Sequence, residues 1–222
     1  MNTGNIIAVF DLDKTLTVKR SLDSAFISFL LHRLQIPRGS LLHCALFFLR
    51  HIWRDPVCAT KRNKLFLKGV KQVTVEKWAQ EFLRHEGNGI LHTEGIRLVH
   101  HHREQGHVTV LLTGSLGILV RPLCDFLSLP FDRVYATELE IIGDSFSGNI
   151  EGIHYYGEEK YNVVKSLVKD YEPVLAESFC YADSASDLPM MRCFGHPIAV
   201  NPDKVLESAA RENNWKIVCL ES

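Results

Sequence analysis

Acidic, hydroxyl and lysine side chains follow apolar runs at several points of this 222-residue chain. Asp11 and Asp13 end the run IIAVF in IIAVFDLDKTLT, and residues two apart on an extended chain point to the same side. The other members of the set are Thr113, Gly114 and Ser115 after VTVLL, Lys160 in GEEKYNVV, and Asp183 and Asp187 in FCYADSASDLP.

These residue types suit phosphoryl chemistry. Carboxylates at positions 11, 13 and 183 would repel one another, and a divalent cation such as Mg²⁺, which prefers oxygen ligands and bridges carboxylates to phosphate, relieves that repulsion. The hydroxyls and backbone N–H groups of the 113–115 turn, together with Lys160, supply donors for phosphate oxygens. With Asp11 as nucleophile and Asp13 as acid and base, the set could form and hydrolyse an aspartyl-phosphate.

The elements that must position these residues alternate between short apolar runs and stretches with helical spacing. Strands are predicted at 6–10, 108–112, 134–136, 179–181 and 198–200, with a late strand at 217–220. Helices are predicted at 94–105, 116–127, 158–169 and 203–213. This order predicts a doubly wound, parallel α/β sheet of the Rossmann-like kind, whose strand ends lie side by side. Residues 138–153 alternate around Gly-Asp-Ser and predict a β-hairpin.

A helical insertion interrupts this order directly after the first motif. Residues 18–88 contain four helical patterns and no convincing strand, with breaks at 37–39 and 54–56. An insertion at this point lies over the carboxyl ends of the strands, where open α/β sheets bind ligands. We therefore expect a core domain of residues 1–17 and 89–222 and a helical cap domain of residues 18–88.

The four motifs in order resemble the haloacid dehalogenase (HAD) superfamily of phosphohydrolases. These motifs are D-x-D-x-T after an apolar strand, a Thr/Ser turn, a Lys, and D-x-x-x-D, spanning Asp11 to Asp187. The all-helical insertion resembles subfamily IB, typified by phosphoserine phosphatase. Lys14 and Ser184 depart from the residues common at their positions, and neither change removes a reacting group.

The resemblance implies a role for each matching residue. Asp11 would be the nucleophile and a Mg²⁺ ligand, and Asp13 the acid/base that also gives its backbone carbonyl to the metal. The remaining implied roles are phosphoryl binding for Thr113 and Lys160, Mg²⁺ ligation for Asp183, and support of the metal shell for Asp187.

Composition and charge limit the kinds of partner that we expect. Lys+Arg 25 against Asp+Glu 26 gives a net charge of -1, which gives no global basic field and so does not favour nucleic acid or an anionic membrane as the main partner. The longest apolar stretch, 41–49, is far shorter than the roughly 20 residues of a membrane-spanning helix, so no transmembrane segment is expected. Six cysteines without a C-x-x-C pair read as reduced thiols of a cytoplasmic protein.

The sequence gives less information about the substrate than about the reaction. We expect a small phosphorylated metabolite. Arg20 falls where phosphoserine phosphatases carry the acidic residue that reads the substrate amine, which argues against a free amine. The apolar segment 26–53 is either the core of the cap or an exposed surface for a lipid-like substrate or a partner. The alternative functions are a phosphotransferase or mutase of the same fold and a non-catalytic phosphate-binding regulatory protein.

Three consecutive histidines, His100 to His102, are the remaining candidate for a metal site. Adjacent helical residues point in different directions, so they make a poor single site, and we expect a solvated helix end.

Overall fold

A seven-stranded sheet forms the centre of the computed structural model, which describes residues 5–54 and 63–220. The strand order is β4-β3-β2-β1-β5-β6-β7, and all neighbours are parallel except β3 and β4. The strands are β1 (Ile7–Phe10), β2 (Val108–Leu116), β3 (Arg133–Ile142), β4 (Ser145–Glu151), β5 (Phe179–Ala182), β6 (His196–Val200) and β7 (Lys216–Val218). The predicted α/β fold is confirmed.

The central strand β1 shows why the apolar runs carry no polar alternation. Its four residues are completely buried, with Ala8 and Phe10 packed in one hydrophobic cluster and Ile7 and Val9 in another. Both faces of the sheet are therefore covered, as the doubly wound arrangement requires.

Helices cover the sheet and form the insertion. They are α1 (Leu22–His32), α2 (Arg38–His51), α3 (Gln72–Glu86), α4 (Thr93–Glu104), α5 (Gly117–Phe126), α6 (Glu158–Tyr171), α7 (Leu188–Met191) and α8 (Lys204–Glu212). The four helices predicted outside the insertion correspond to α4, α5, α6 and α8. The hairpin also forms, but its first arm is continuous with the strand predicted at 134–136, so both belong to β3.

The helical insertion after β1 is confirmed, with α1 to α3 in its described part. Residues 55–62 lie outside the described residues, so the fourth helical pattern is not tested. The insertion leaves and rejoins the sheet domain at an antiparallel bridge between Thr17 and Leu91, which lies at the expected boundary. It also touches the hairpin, where the Gly69 N–H donates to the Phe146 carbonyl at 2.8 Å. The division into domains 1–17 with 89–222 and 18–88 stays a prediction.

The structure shows which side chains are buried in the apolar segment 26–53 and in the histidine run. In the apolar segment 26–53, Phe26 and Leu30 of α1 are buried in the cap, whereas most apolar residues of α2 are exposed.

His102 is buried, and its ring nitrogens lie 2.8 Å from His107 Nδ1 and from the Tyr181 hydroxyl. The prediction that the histidine run is a solvated helix end is therefore wrong for this residue. Burial, then His107 and His101, lowers the pKa of His102 to about 4, so it is neutral at neutral pH.

Within the residues described, no helix combines the length and the hydropathy needed to cross a bilayer. The five cysteines described there form no disulfide.

Candidate active site

Asp11 stands at the carboxyl end of β1, where the backbone has just left the sheet. Its N–H donates to the Tyr181 carbonyl at 2.9 Å, which continues the ladder to β5 and fixes the direction of the side chain. The carboxylate accepts from Lys160 Nζ at 2.6 Å on Oδ1 and from Thr15 Oγ1 at 3.1 Å on Oδ2. Both carboxylate oxygens are therefore held in one orientation before any substrate enters.

Lys160 links two motifs that are far apart in the sequence. It lies in the first turn of α6, is buried, and donates to Asp187 Oδ2 at 2.9 Å as well as to Asp11. Burial by itself lowers the pKa of this amine, but the charges and hydrogen bonds of Asp11 and Asp187 outweigh it and raise the pKa well above its usual value. The side chain is therefore a fixed ammonium group at the bottom of the site.

Asp13 is held by different partners, although it is only two residues from Asp11. The Ser115 hydroxyl lies 2.7 Å from its Oδ2, and the Leu22 N–H, at the start of α1, donates to its Oδ1 at 2.9 Å. Burial and the charges of Asp11 and Asp23 raise its pKa to about 6, against the opposing hydrogen bonds. A carboxyl group that titrates near neutral pH is suited to donate and accept protons.

Three carboxylates form the group that could hold a divalent cation. Asp11, Asp183 and Asp187 each offer an oxygen, and these oxygens lie within 4.8 Å of one another. Burial, followed by repulsion from Asp11 and Asp187, raises the pKa of Asp183 to about 8. Since a bound cation would relieve this repulsion, the donor set fits an ion that takes oxygen ligands, such as Mg²⁺.

This group differs in membership from the carboxylates predicted as ligands. Asp187, expected to support the metal shell, lies in the group with Asp11 and Asp183. The Asp13 carboxylate points instead to Ser115 and the start of α1. The expectation that Asp13 would contribute through its backbone carbonyl stays a prediction.

The predicted phosphate-binding residues 113–115 belong to the last part of β2 and not to a turn after it, and the pairing of β2 with β3 shifts register between Leu112 and Leu116. Thr113 is completely buried, and its Oγ1 accepts from the Ser115 N–H at 3.0 Å. Gly114 lines the same cavity as Asp11, and a Cβ there would lie 3.2 Å from His154 Cε1 and 3.3 Å from the Tyr155 carbonyl oxygen. Because His154 and Tyr155 approach β2 this closely, a side chain at position 114 would be crowded, which accounts for the glycine there.

One cavity of about 420 Å³ joins these groups to the insertion. Arg20 lines it, half-exposed, with its guanidinium 3.9 Å from Glu86, while Ile27 and Phe66 add apolar surface from the cap. Lys14 also lines it with a left-handed backbone (φ 62°), a conformation that suits Gly and that here accompanies an N–H bond to Thr17 Oγ1 at 2.6 Å. The cavity is therefore lined by polar side chains at the carboxyl ends of the strands, and by both polar and apolar side chains at the cap.

Sequence reasoning missed a buried ion pair at the base of the cap. Lys64 Nζ donates to Asp23 Oδ2, and Asp23 Oδ1 accepts from the Leu116 N–H at 3.0 Å, so Asp23 joins α1 to the end of β2. Both residues line the cavity. The sequence did not single out Asp23, because acidic residues are common in the first turn of any helix, where they interact favourably with the helix dipole.

The parallel sheet, the helical insertion after β1 and the carboxylate–lysine group at the strand ends together define a Rossmann-like α/β domain of the HAD-like class. The model of the haloacid dehalogenase-like hydrolase family matches residues 8–192. The chain therefore belongs to this family, as the motifs predicted.

Two curated relatives match nearly the whole chain. The "Inhibition of morphological differentiation protein" of Streptomyces azureus is 30% identical over 221 residues, which cover 95% of this chain and 77% of the relative. A probable phosphatase of Mycobacterium tuberculosis is 26% identical over 216 residues, covering 95% of this chain and 74% of the relative.

Solved structures show the same fold. A protein of unknown function from Bordetella pertussis Tohama I has a TM-score of 0.81 at 22% identity, covering 97% of this chain and 99% of the other. Phosphoserine phosphatase in its apo form has a TM-score of 0.66 at 17% identity, covering 98% and 94%. The predicted likeness to the phosphoserine phosphatase-like subgroup is thus confirmed at the level of the fold.

Proposed function

We propose that the protein is a Mg²⁺-dependent phosphomonoester phosphatase that works through an aspartyl-phosphate on Asp11. The observation that carries this proposal is the position of the Asp11 carboxylate, fixed by Lys160 and Thr15 and facing the same cavity as Asp13. A nucleophile and a proton-transfer group at neighbouring positions are what covalent catalysis requires.

In the first step an oxygen of Asp11 attacks phosphorus, and the bond from phosphorus to the leaving oxygen breaks. Asp13 in its acid form gives its proton to that leaving oxygen. In the second step Asp13, now a carboxylate, takes a proton from a water molecule that attacks the same phosphorus. Inorganic phosphate leaves, Asp11 is regenerated, and Asp13 is again protonated.

The other residues of the site hold charge and position. Lys160 offsets part of the negative charge of the incoming phosphoryl group. Gly114 lines the cavity with Asp11, so its backbone is our candidate for contacts with phosphoryl oxygens. Thr113 is completely buried, and its predicted role in phosphate binding stays a prediction. Mg²⁺, held by Asp11, Asp183 and Asp187, would polarise the phosphoryl group and neutralise charge that develops on it. Ser115, predicted to bind phosphate, holds Asp13 by its hydroxyl.

We propose a small phosphorylated metabolite as substrate, with no requirement for an amine. Arg20 lines the cavity where an amine-reading carboxylate would be expected, and Lys14 and Lys19 line the same cavity. These cations favour an anionic or neutral leaving group over an ammonium group. The site gives no reason to place nucleic acid among the substrates.

The test is a panel of phosphomonoesters, assayed with Mg²⁺ for phosphate release by the wild type and by Asp11→Asn. We expect turnover by the wild type and none by the variant. Asp170→Asn, on the exposed face of α6, is the matched control and should keep full activity. Absence of turnover of every small phosphomonoester by the wild type would contradict the proposal.

Acid quenching after brief reaction with a labelled substrate tests the covalent step. A label carried by the phosphoryl group should stay with the wild-type chain, as an aspartyl-phosphate, and should be absent from the chain of Asp11→Asn. Adding alcohol acceptors to the same assay separates hydrolysis from phosphoryl transfer, because a phosphotransferase would yield a new phosphomonoester in place of inorganic phosphate.

A further inference from the structure

Helix α2 presents an apolar face that no described part of the chain covers. Leu42, Leu46 and Leu49 are 60%, 57% and 65% exposed, and Trp53, just after the helix, is 92% exposed. Their spacing of four, three and four residues places them on one stripe of the helix. We call these four residues the α2 apolar face. The opposite side of the helix carries the buried Ser40 and the half-buried Cys44 and Phe47.

The charged side chains of α2 and of the described residues 52–54 after it are all arginines. From residue 24 to residue 54 the sequence contains four arginines and no Asp or Glu. Arg38 and Arg50 lie on the same side of α2 as the apolar face, and Arg54 follows Trp53; all three are exposed. Within the described residues these three form no ion pair, whereas Arg33 pairs with Glu81 at 3.3 Å.

We infer that the α2 apolar face docks on the surface of an anionic phospholipid bilayer. A helix with leucines and a tryptophan on one stripe and arginines beside it, too short to span, is suited to lie in the interface with its apolar side chains among the acyl chains. Arginines near the headgroups add attraction to anionic lipid. The segment around Leu65–Leu67 holds the other side of the helix in place, since Ser40 Oγ donates to the Lys68 carbonyl at 2.8 Å.

Charge complementarity favours this occupant over a second copy of the chain. In a two-fold interface the same patch meets itself, so the arginines of one copy would face those of the other, and the described residues of this face offer no carboxylate to separate them. A bilayer with anionic headgroups supplies the missing negative charge.

The docked face would lie close to the candidate active site. Asn63 Nδ2 donates to the Cys44 carbonyl at 3.0 Å, and Asn63, Lys64 and Phe66 line the active-site cavity. One helix, about 10 Å across, therefore separates the bilayer surface from the wall of the cavity. This inference does not depend on the proposed phosphatase activity.

The test is co-sedimentation of the full chain with vesicles of phosphatidylcholine and phosphatidylglycerol, and with vesicles of phosphatidylcholine alone. We expect partitioning to the anionic vesicles that weakens as salt is raised. Leu42→Gln/Leu46→Gln/Leu49→Gln should lower the partition coefficient roughly tenfold or more, since apolar area no longer leaves water. Arg38→Gln/Arg50→Gln should lower it by roughly tenfold on anionic vesicles and little on neutral ones.

The matched control is Ile142→Gln/Val205→Gln, which changes two residues that are 67% and 63% exposed on other elements. It should bind vesicles like the wild type. Circular dichroism and thermal melts check that every variant folds. Trp53 offers a second readout: its fluorescence should shift to the blue on vesicles, and Trp53→Phe should remove that shift, because Trp78 and Trp215 are already partly buried.

Three results would overturn the inference. The wild type could fail to sediment with anionic vesicles at low salt. The triple leucine variant could bind as well as the wild type. Size-exclusion chromatography could show a wild-type dimer that the triple variant converts to a monomer, without vesicle binding, which would assign the face to a second copy of the chain.

Discussion

Replacing Lys160 by Met tests whether the buried ammonium group holds the acidic site together. Lys160 is buried between Asp11 and Asp187, with donor–acceptor distances of 2.6 and 2.9 Å. Met keeps the apolar length of the side chain and removes the charge. Removing one partner of a buried ion pair costs about 3–5 kcal/mol, because the opposite charge is left without compensation.

This loss converts into a measurable shift. For a chain of 222 residues, each kcal/mol lowers Tm by about 2–4 °C, so Lys160→Met should lower Tm by about 6–20 °C. The loss should be smaller at pH 5 than at pH 8, because Asp183, whose pKa is raised to about 8, is protonated at pH 5 and then no longer repels Asp11 and Asp187.

The assay is urea unfolding followed by far-UV circular dichroism, together with thermal melts, all in EDTA so that no cation replaces the lysine. Lys169→Met, in the last turn of the same helix, is the control, and its loss should stay within about 0.5 kcal/mol because the side chain is exposed. A loss below about 1 kcal/mol for Lys160→Met at pH 8 would refute the reasoning.

Three further predictions concern the same cavity. Because the pKa of Asp13 is raised to about 6 and that of Asp183 to about 8, these two groups bind more protons in the folded chain than in the unfolded chain from about pH 4 to pH 8. This pair should therefore make the metal-free protein less stable as pH rises through that window. Mg²⁺ should raise Tm more at pH 8 than at pH 5; equal shifts in the wild type and in Asp183→Asn would argue against a cation at this site. Asp23→Ala should cost about 3–5 kcal/mol because it leaves Lys64 buried and unpaired, and Asp23→Leu/Lys64→Met should recover much of this in urea unfolding; an additive double variant would contradict the pairing. Phosphoserine and its deaminated analogue should be hydrolysed with similar kcat/KM, and Arg20→Glu should shift preference towards phosphoserine; strict dependence of the wild type on the amine would disprove the role given to Arg20.

Most of the strands and helices, and the order of the motifs along them, could be predicted from local sequence patterns. Runs such as IIAVF have no polar alternation, which occurs where both faces of a strand are covered, and β1 is buried on both faces. Asp11, Thr113 and Asp183 each follow such a run, and in a parallel sheet those ends must meet at one edge. The convergence of the motifs could therefore be predicted from local pattern alone.

Which side chains pair in the site could not be predicted from local patterns, because the pairs join distant parts of the chain. Asp11 and Asp13 are close in sequence, yet Asp11 is held by Lys160 and Asp13 by Ser115, 102 residues away. The direction of a side chain beyond a strand end depends on loop dihedral angles and on neighbours from other elements, which no local pattern encodes. The same applies to Asp187, whose place in the carboxylate group depends on the short turn after β5.

Burial in the helical segments was likewise a tertiary outcome. FISFLL and LLHCALFFL look equally apolar, but α1 packs inside the cap while α2 presents leucines outward. His102 looks like part of an exposed polar helix end, but Tyr181 and His107 enclose it. Helical spacing tells which residues share a face, and only the packing of distant elements determines whether that face meets protein or the surroundings.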